Sequence, residues 1–351
     1  FKQKTAYEIG VRLVGSEMCI RDSFSSMIAM DDPRHARLRR IVSKGFTPRM
    51  LAALEDSVQS VAAGIVDDIA ERGKCDFVTD VAAALPLKIV CDLMGVPDSA
   101  YEMVFKNTNI ILGVGDPEFA PEGVDFVTAL LNAGAELAEL MSEVAEAKKG
   151  GDGGDLTSVL VNAELEGDHL DQADLASFFV LLVVAGNETT RNAISWGLKY
   201  LTDHPDQRAI WANDFEGLAP SAIDEIVRLA SPVSYMRRTV TQDTMLAGQE
   251  LSEGDKVAMF YLAANRDPAV FDDPYRFDVQ RSPNPQCGFG GPGPHFCLGA
   301  HLARREITVM FRELFERLPD IAAVGEPDPL QSSFIHGVKH LEAEFTPTRS
   351  G

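Results

Sequence analysis

Apolar residues recur at intervals of three and four along most of this chain, and that period predicts helices. Thr47-Pro48 is a cap followed by proline at the first helical position, and behind it Met50, Leu54, Val58, Val61, Ile65 and Ile69 line one face. Pro86 to Met94 reads as a shorter helix closed by Gly95 and Pro97. Asp125 to Lys149 reads as another, ended by the flexible run Gly150-Gly-Asp-Gly-Gly154. Gln172 to about Tyr200 predicts a long helix, on the order of 40 Å, hydrophobic enough to be central. Two further helices are expected from Asp206 and over Leu218 to Ala230. The texture then turns to short β signals: Tyr235 to Val240, and a hairpin from Met245 to Tyr261 turning at Ser252-Glu-Gly-Asp255. Residues 265–296 hold many Pro, Asp, Arg and Gly but few regular runs, a length of irregular chain that a compact domain keeps mainly for function. Leu298 to Leu318 predicts the last helix, and the tail reads as a small hairpin. The expected fold class is mainly α with minor β, without repeats or a domain linker.

Residues 1–23 stand apart, with neither a sustained helical period nor a strand alternation, and without the apolar stretch and cleavage site of a signal peptide. They are expected to be a non-native or disordered leader, with one domain running over 24–351. The chain has 351 residues, and its 32 basic against 53 acidic side chains give a formal net charge of −21. Such a chain repels a phosphate backbone, so no nucleic-acid partner is expected. At 24% charged and 45% hydrophobic it is not disordered by composition. The longest apolar run, Phe178 to Ala185, falls short of the roughly 18–20 residues that span a bilayer, so no transmembrane segment is expected. Five scattered cysteines make no disulfide framework, and a cytoplasmic location is the expectation.

The sharpest chemical signal is Phe289-Gly-Gly-Pro-Gly-Pro-His-Phe-Cys297-Leu-Gly299, a glycine-rich loop that delivers one cysteine to the start of a helix. Unpaired N–H groups and the positive dipole end there favour a thiolate. Gly293 and Gly299 leave room for a flat, bulky group beside the sulfur. One soft thiolate without a second Cys or His at chelating spacing argues against zinc or an iron–sulfur cluster; it suits a metal whose other ligands come from a cofactor, such as haem. The run Gly288-x-Gly290-x-x-Gly293 also matches a dinucleotide fingerprint, but no strand precedes it and the helix begins only after Cys297. Cys287 lacks the glycine cradle and is given no role; His336 and His340 are read as structural.

Four further motifs accompany this loop in a fixed order. They are Asp32-Pro-Arg-His35-Ala-Arg-Leu-Arg39, Ala185-Gly186-Asn-Glu188-Thr189-Thr190, Glu225-Ile-Val-Arg228, and Pro274-Tyr-Arg276-Phe277. Together they resemble the cytochrome P-450 superfamily of haem-thiolate monooxygenases, over about Phe24 to Thr348. The resemblance implies the P-450 fold, here entered at the helix bearing His35, with N-terminal strands and helices missing; a chain so truncated is expected to be poorly stable and to fail to hold haem. One departure lies in the loop, where the family's phenylalanine seven residues before the cysteine is Gly290 and Phe289 stands eight before. This variant, with Leu181 to Ala193, Ala230 to Thr239 and Ile111 to Pro117, resembles a bacterial branch that oxidises methyl-branched lipids and sterol side chains.

By resemblance, the cofactor is haem b and Cys297 its axial metal ligand, within the cradle of Phe289, Gly293 and Gly299. Thr189 and Glu188 are the catalytic pair, one orienting dioxygen or water and the other feeding protons, with Gly186 giving dioxygen room on the helix. His35, Arg39, Arg238 and His295 bind the propionates. Glu225, Arg228 and Arg276 form a buried structural network. Ala185, Val233, Met236 and Phe334 face an apolar substrate. Electrons are expected from a ferredoxin and its reductase, docked on a basic island of Arg34, Arg37, Arg39, Arg40, Lys44 and Arg49, extended by Arg304 and Arg305. The expected function is hydroxylation of a methyl-branched lipid, fatty acid or sterol side chain. The alternatives are a non-catalytic haem sensor or carrier, or an inactive fragment; the Glu188-Thr189 pair favours catalysis, because a sensor needs no proton delivery.

Overall fold

One helix organises the molecule. Asp171 caps it by accepting the Asp174 N–H, and the helix, α7, then runs from Gln172 to Asp203, about 48 Å. In this computed structural model the described residues are 13–15 (backbone only), 26–47, 50, 52, 54–113, 116–151, 154–163 and 170–348. Ahead of α7 lie α1 (Arg34–Val42), α2 (Glu55–Ala70), α3 (Ala84–Met94), α4 (Tyr101–Leu112), α5 (Phe126–Lys148) and α6 (Leu156–Val161). After it come α8 (Pro205–Asn213), α9 (Phe215–Ala230), the short α10 (Tyr261–Ala264) and α11 (Ala300–Arg317). α7 packs against α3, α5, α9 and α11, and the core around it includes Phe179, Val183, Ile194, Leu198, Trp211 and Phe311. It is the one described helix long and apolar enough to cross a bilayer, yet 56% of its apolar window is buried and Glu188 and Arg191 sit within it, as suits a core helix.

The strands are few and short. β1 (Leu13–Gly15), β3 (Tyr235–Val240) and β6 (Lys256–Phe260) make an antiparallel sheet in the order β1-β3-β6. β2 (Lys74–Asp76), β10 (Glu342–Glu344) and β7 (Ala322–Ala323) make a second; β4 (Thr244–Leu246) pairs with β5 (Gln249–Leu251), and β8 (Asp328–Pro329) with β9 (Val338–His340).

The mainly helical expectation holds, and most helices lie within a few residues of their predicted positions. Thr47 accepts the Met50 N–H at 3.4 Å, the bond expected of a cap. α11 begins at Ala300 because Leu298 and Gly299 complete the turn that carries the cysteine. Three differences stand out. The leader lends three residues to the edge of β3, pairing Gly15 with Arg238 and Leu13 with Val240. The α4 helix has no clean period because Asn107 and Thr108 occupy its buried face, Asn107 donating to Glu136 at 2.8 Å. The hairpin expected from Met245 to Tyr261 is divided: β4 pairs with β5 around Ala247-Gly248, while β6 pairs with β3. Between Ala264 and Ala300 there is no helix or strand, as expected, and a side-chain network holds that segment.

Candidate functional site

The Cys297 loop is folded by its own backbone. The Cys297 N–H donates to the Phe289 carbonyl at 2.9 Å and the Gly290 N–H to Cys287 O at 2.8 Å. Gly290 takes φ +87°, a conformation that side chains rarely adopt. A Cβ built at Gly291, Gly293 or Gly299 would meet no atom within 4 Å, so open space flanks the loop. Burial pushes the Cys297 thiol pKa up, against the pull of the Gly299 N–H, Arg39 and Arg304. The helix end alone therefore does not make a thiolate here; a metal cation would. Arg304 lies with its guanidinium 4.2 Å from the centre of the Phe289 ring and donates to Asp224 at 2.9–3.0 Å.

Bases gather beside this sulfur. Arg39 on α1 donates to Phe296 O at 2.6 Å, one residue from Cys297. His35, one turn earlier, is 1% exposed and stacks on His295 with ring centroids 4.0 Å apart. His35 Nδ1 is buried without a hydrogen-bond partner and stands 3.6 Å from Asp32, a side chain 49% exposed. Burial, then His35, Arg238 and Arg39, drive the His295 pKa down to about 4. His35, Arg238 and Arg39 thus act on His295 two residues before the thiol, and the carboxylates that act on His35 are Asp31 and Asp32. Basic groups crowded together and wholly or partly buried call for an anion. The porphyrin of haem, flat and edged by two carboxylates, fits both the open face of the loop and this surplus of donors.

On the α7 side the expected pair is divided. Thr189 Oγ1 donates back to Ala185 O at 2.8 Å. Glu188 is fully buried and turned into a polar cluster: Oε1 is bonded by Arg191 Nη2 and by Asn192 Nδ2, the latter at 3.1 Å. Arg191 Nη1 reaches Asn109 on α4 at 3.0 Å, and Asn192 Oδ1 accepts the Val338 N–H at 2.9 Å. Glu188 Oε2 is buried without a partner. Gly186 has a packing reason beyond any ligand, since a Cβ there would meet Val90 of α3 at 3.0 Å. Of the expected substrate-facing residues, Val233 bridges to Ile335, Phe334 O accepts the Ser234 N–H, and Met236 follows on β3. These three share one corner, while Ala185 is exposed on α7.

The structural network needs a correction. Glu225 and Arg228 form a fully buried bidentate pair at 2.7 and 2.8 Å. Arg276 does not join them with its side chain, which is 59% exposed and 3.9 Å from Asp278. Its backbone turns back on Asp273, so only its carbonyl points inward, accepting from Arg228 at 3.1 Å. Arg281 takes the place instead, its Nε 3.1 Å from both Glu225 oxygens. Asn265, fully buried, ties this network to the cysteine loop: its carbonyl accepts from Arg228 at 2.7 Å and its Oδ1 accepts the Cys287 N–H at 2.8 Å. No sequence signal separates Arg281 or Asn265 from the other polar residues of that irregular stretch.

Of the expected basic island, Arg37, Arg40 and Lys44 are exposed on and after α1, Arg34 is exposed and meets Asp174 at 3.4 Å, Arg304 is held by Asp224 and Arg305 by Glu55. Arg49 lies outside the described residues.

Known proteins resemble this chain over most of its length. The family model described as Cytochrome P450 matches residues 218–329. The chain is 49% identical over 330 residues to the methyl-branched lipid omega-hydroxylase of Mycobacterium tuberculosis, covering 93% of this chain and 76% of that protein. It is 38% identical over 320 residues to the steroid C26-monooxygenase of Mycolicibacterium smegmatis, covering 91% and 73%. A Mycobacterium marinum cytochrome P450 solved in complex with pseudoionone superposes with a TM-score of 0.89 at 42% identity, over 94% of this chain and 80% of that one.

Proposed function

The chain belongs to the cytochrome P450 family and is a monooxygenase of apolar substrates, and from that premise we propose that it hydroxylates a methyl-branched lipid or a sterol side chain, with electrons from a ferredoxin. The observation that carries the site assignment is the convergence of Arg39, Arg238 and His35 on His295, two residues before Cys297. In this reading Cys297 holds the haem iron as thiolate, and the four bases hold the two propionates. When bound, the haem supplies dioxygen activation at a thiolate-ligated iron.

The chain's own residues then do the rest. The Thr189 hydroxyl, free to exchange its bond to Ala185 O for a ligand, orients dioxygen or a water. Glu188 feeds protons to it only by turning out of its cluster with Arg191 and Asn192. The corner of Val233, Met236 and Phe334 excludes water and offers an apolar wall to a hydrocarbon chain. Arg37, Arg40 and Lys44 present positive charge on an otherwise acidic molecule, which suits an acidic electron donor.

The test is a carbon monoxide difference spectrum of the reduced protein, followed by ferredoxin-driven turnover with methyl-branched fatty acids and sterols. A thiolate-type spectrum lost in Cys297→Ser, with hydroxylated product from one substrate class, supports the reading. Oxygen uptake that yields peroxide alone with every substrate overturns it.

A further inference from the structure

The connection between α4 and α5 is fastened to the C-terminal strands by charged side chains. Asp116, 1% exposed, accepts the Gln331 N–H at 3.0 Å through Oδ2 and the Glu118 N–H at 3.1 Å through Oδ1. Glu118 reaches β9 with both oxygens: Oε2 is 2.9 Å from Lys339 Nζ and Oε1 is 2.8 Å from His340 Nε2. The other ring nitrogen of His340 is 2.5 Å from Asp76 Oδ2 on β2. One imidazole thus stands between two carboxylates that belong to different parts of the fold. A neutral imidazole has a single N–H and can donate to only one of them, leaving a lone pair against the other; imidazolium donates to both.

We infer that His340 is a proton-operated latch: charged, it ties residues 116–125 to the C-terminal sheet through Glu118 and Asp76, and on losing its proton it releases the Glu118 side of that tie. The strap covers an apolar crevice of about 160 Å³, lined among others by Ile110, Phe119, Val124 and Phe126. Release therefore loosens the wall of that crevice.

The charges facing the imidazole favour its protonated form. Asp76 comes from β2, with Asp80 bonded to its N–H and Arg72 3.6 Å from Asp80. Glu118 and, behind it, Asp116 come from the connection; Asp328 comes from β8 and Lys339 from its own strand; Glu342 on β10 is in register with Asp76. The Asp76 bond raises the His340 pKa above the ordinary range, burial opposes it, and the Glu118 bond adds to the rise. A raised value puts the tie at full strength below the ordinary 6.5 and removes it as pH climbs through the folded-state value. Lys339 stays charged throughout and keeps its own hold on Glu118, Asp116 and Asp328 at 2.9, 3.4 and 3.5 Å, so release concerns only the His340 bond. Its ammonium group pairs with Glu118 and Asp328, which with His340 make a trio otherwise spaced for a metal ion.

Amide hydrogen exchange of the full chain tests the latch, reading peptides over 116–125 from about pH 5.5 to 9, corrected for intrinsic rates and referred to α8. Protection over 116–125 is expected to fall by roughly three- to tenfold through the His340 transition, the scale of a partly exposed ion pair. His340→Gln should be weakly protected at every pH with the step gone, and His340→Arg strongly protected at every pH. A flat wild-type profile, or a step that survives in His340→Gln, overturns the inference. Should either variant fail to fold, the imidazole 15N titration of the native chain decides: a His340 midpoint at or below about 6.5 also overturns it.

Discussion

Glu225 shows how much one buried carboxylate can hold. It takes Arg228 on two atoms, Arg281 on both oxygens, and the Asp278 N–H at 3.0 Å. Removing one cation from such a site leaves charge unpaired in the interior, so Arg281→Met should cost about 3 kcal/mol or more in urea unfolding. Arg276→Met should stay within about 0.5 kcal/mol, because that guanidinium is already in solvent. Glu306 on α11 is the opposite case, 2% exposed with Oε1 unpartnered, and burial drives its pKa up to about 8. The folded state keeps this proton while the unfolded chain loses it near the ordinary 4.5, so stability falls as pH rises between the two, by about 1.4 kcal/mol per pH unit. Glu306→Gln should flatten that slope, which urea midpoints at about pH 5 and pH 8 will reveal. For chemistry, Thr189→Ala should raise the share of oxygen consumed that ends as peroxide, measured against product formed. At this scale the sequence was legible where a residue type is rare and its surroundings odd, as at Cys297, His35 and His295. Arg281 stayed hidden because arginines are common there and only the fold decides which one turns inward.

Elements were legible in proportion to the cleanness of their apolar face. α7 and α5 carry long runs and strong caps, Asp171 and Asp125, and appear where their pattern puts them. α4 escaped because polar Asn107 and Thr108 stand where apolar residues would mark the period. The crossing of α7 over α11 depends on a position that patterning cannot flag. A Cβ at Gly197 would lie 2.7 Å from Phe311 Cζ and 3.2 Å from Ile226 Cδ1, both fully buried side chains. Gly197→Ala should therefore destabilise by about 1–3 kcal/mol in thermal or urea unfolding, although alanine is the better helix former. Gly186 carries the same lesson at the site: a glycine read from sequence as room for a ligand also lets α3 and α7 touch.

The whole molecule is an acidic body with a small basic face. Against a net charge of −21, Arg37, Arg40 and Lys44 stand exposed near the cysteine loop's partner Arg39. Charge reversal at Arg37 and Arg40 should slow reduction by an acidic ferredoxin and flatten its dependence on ionic strength, followed by stopped flow; an unchanged rate would place docking elsewhere. Fold and family were legible at this scale because the motifs keep their order along the chain. The long-range ties, Asn265 to the cysteine loop and His340 to the α4–α5 connection, were not, since each joins residues that only tertiary contact brings together.

The pairing of β1 with β3 is made by main-chain groups over three residues. It covers the edge of β3 that β6 leaves unpaired, an edge otherwise open to another extended chain.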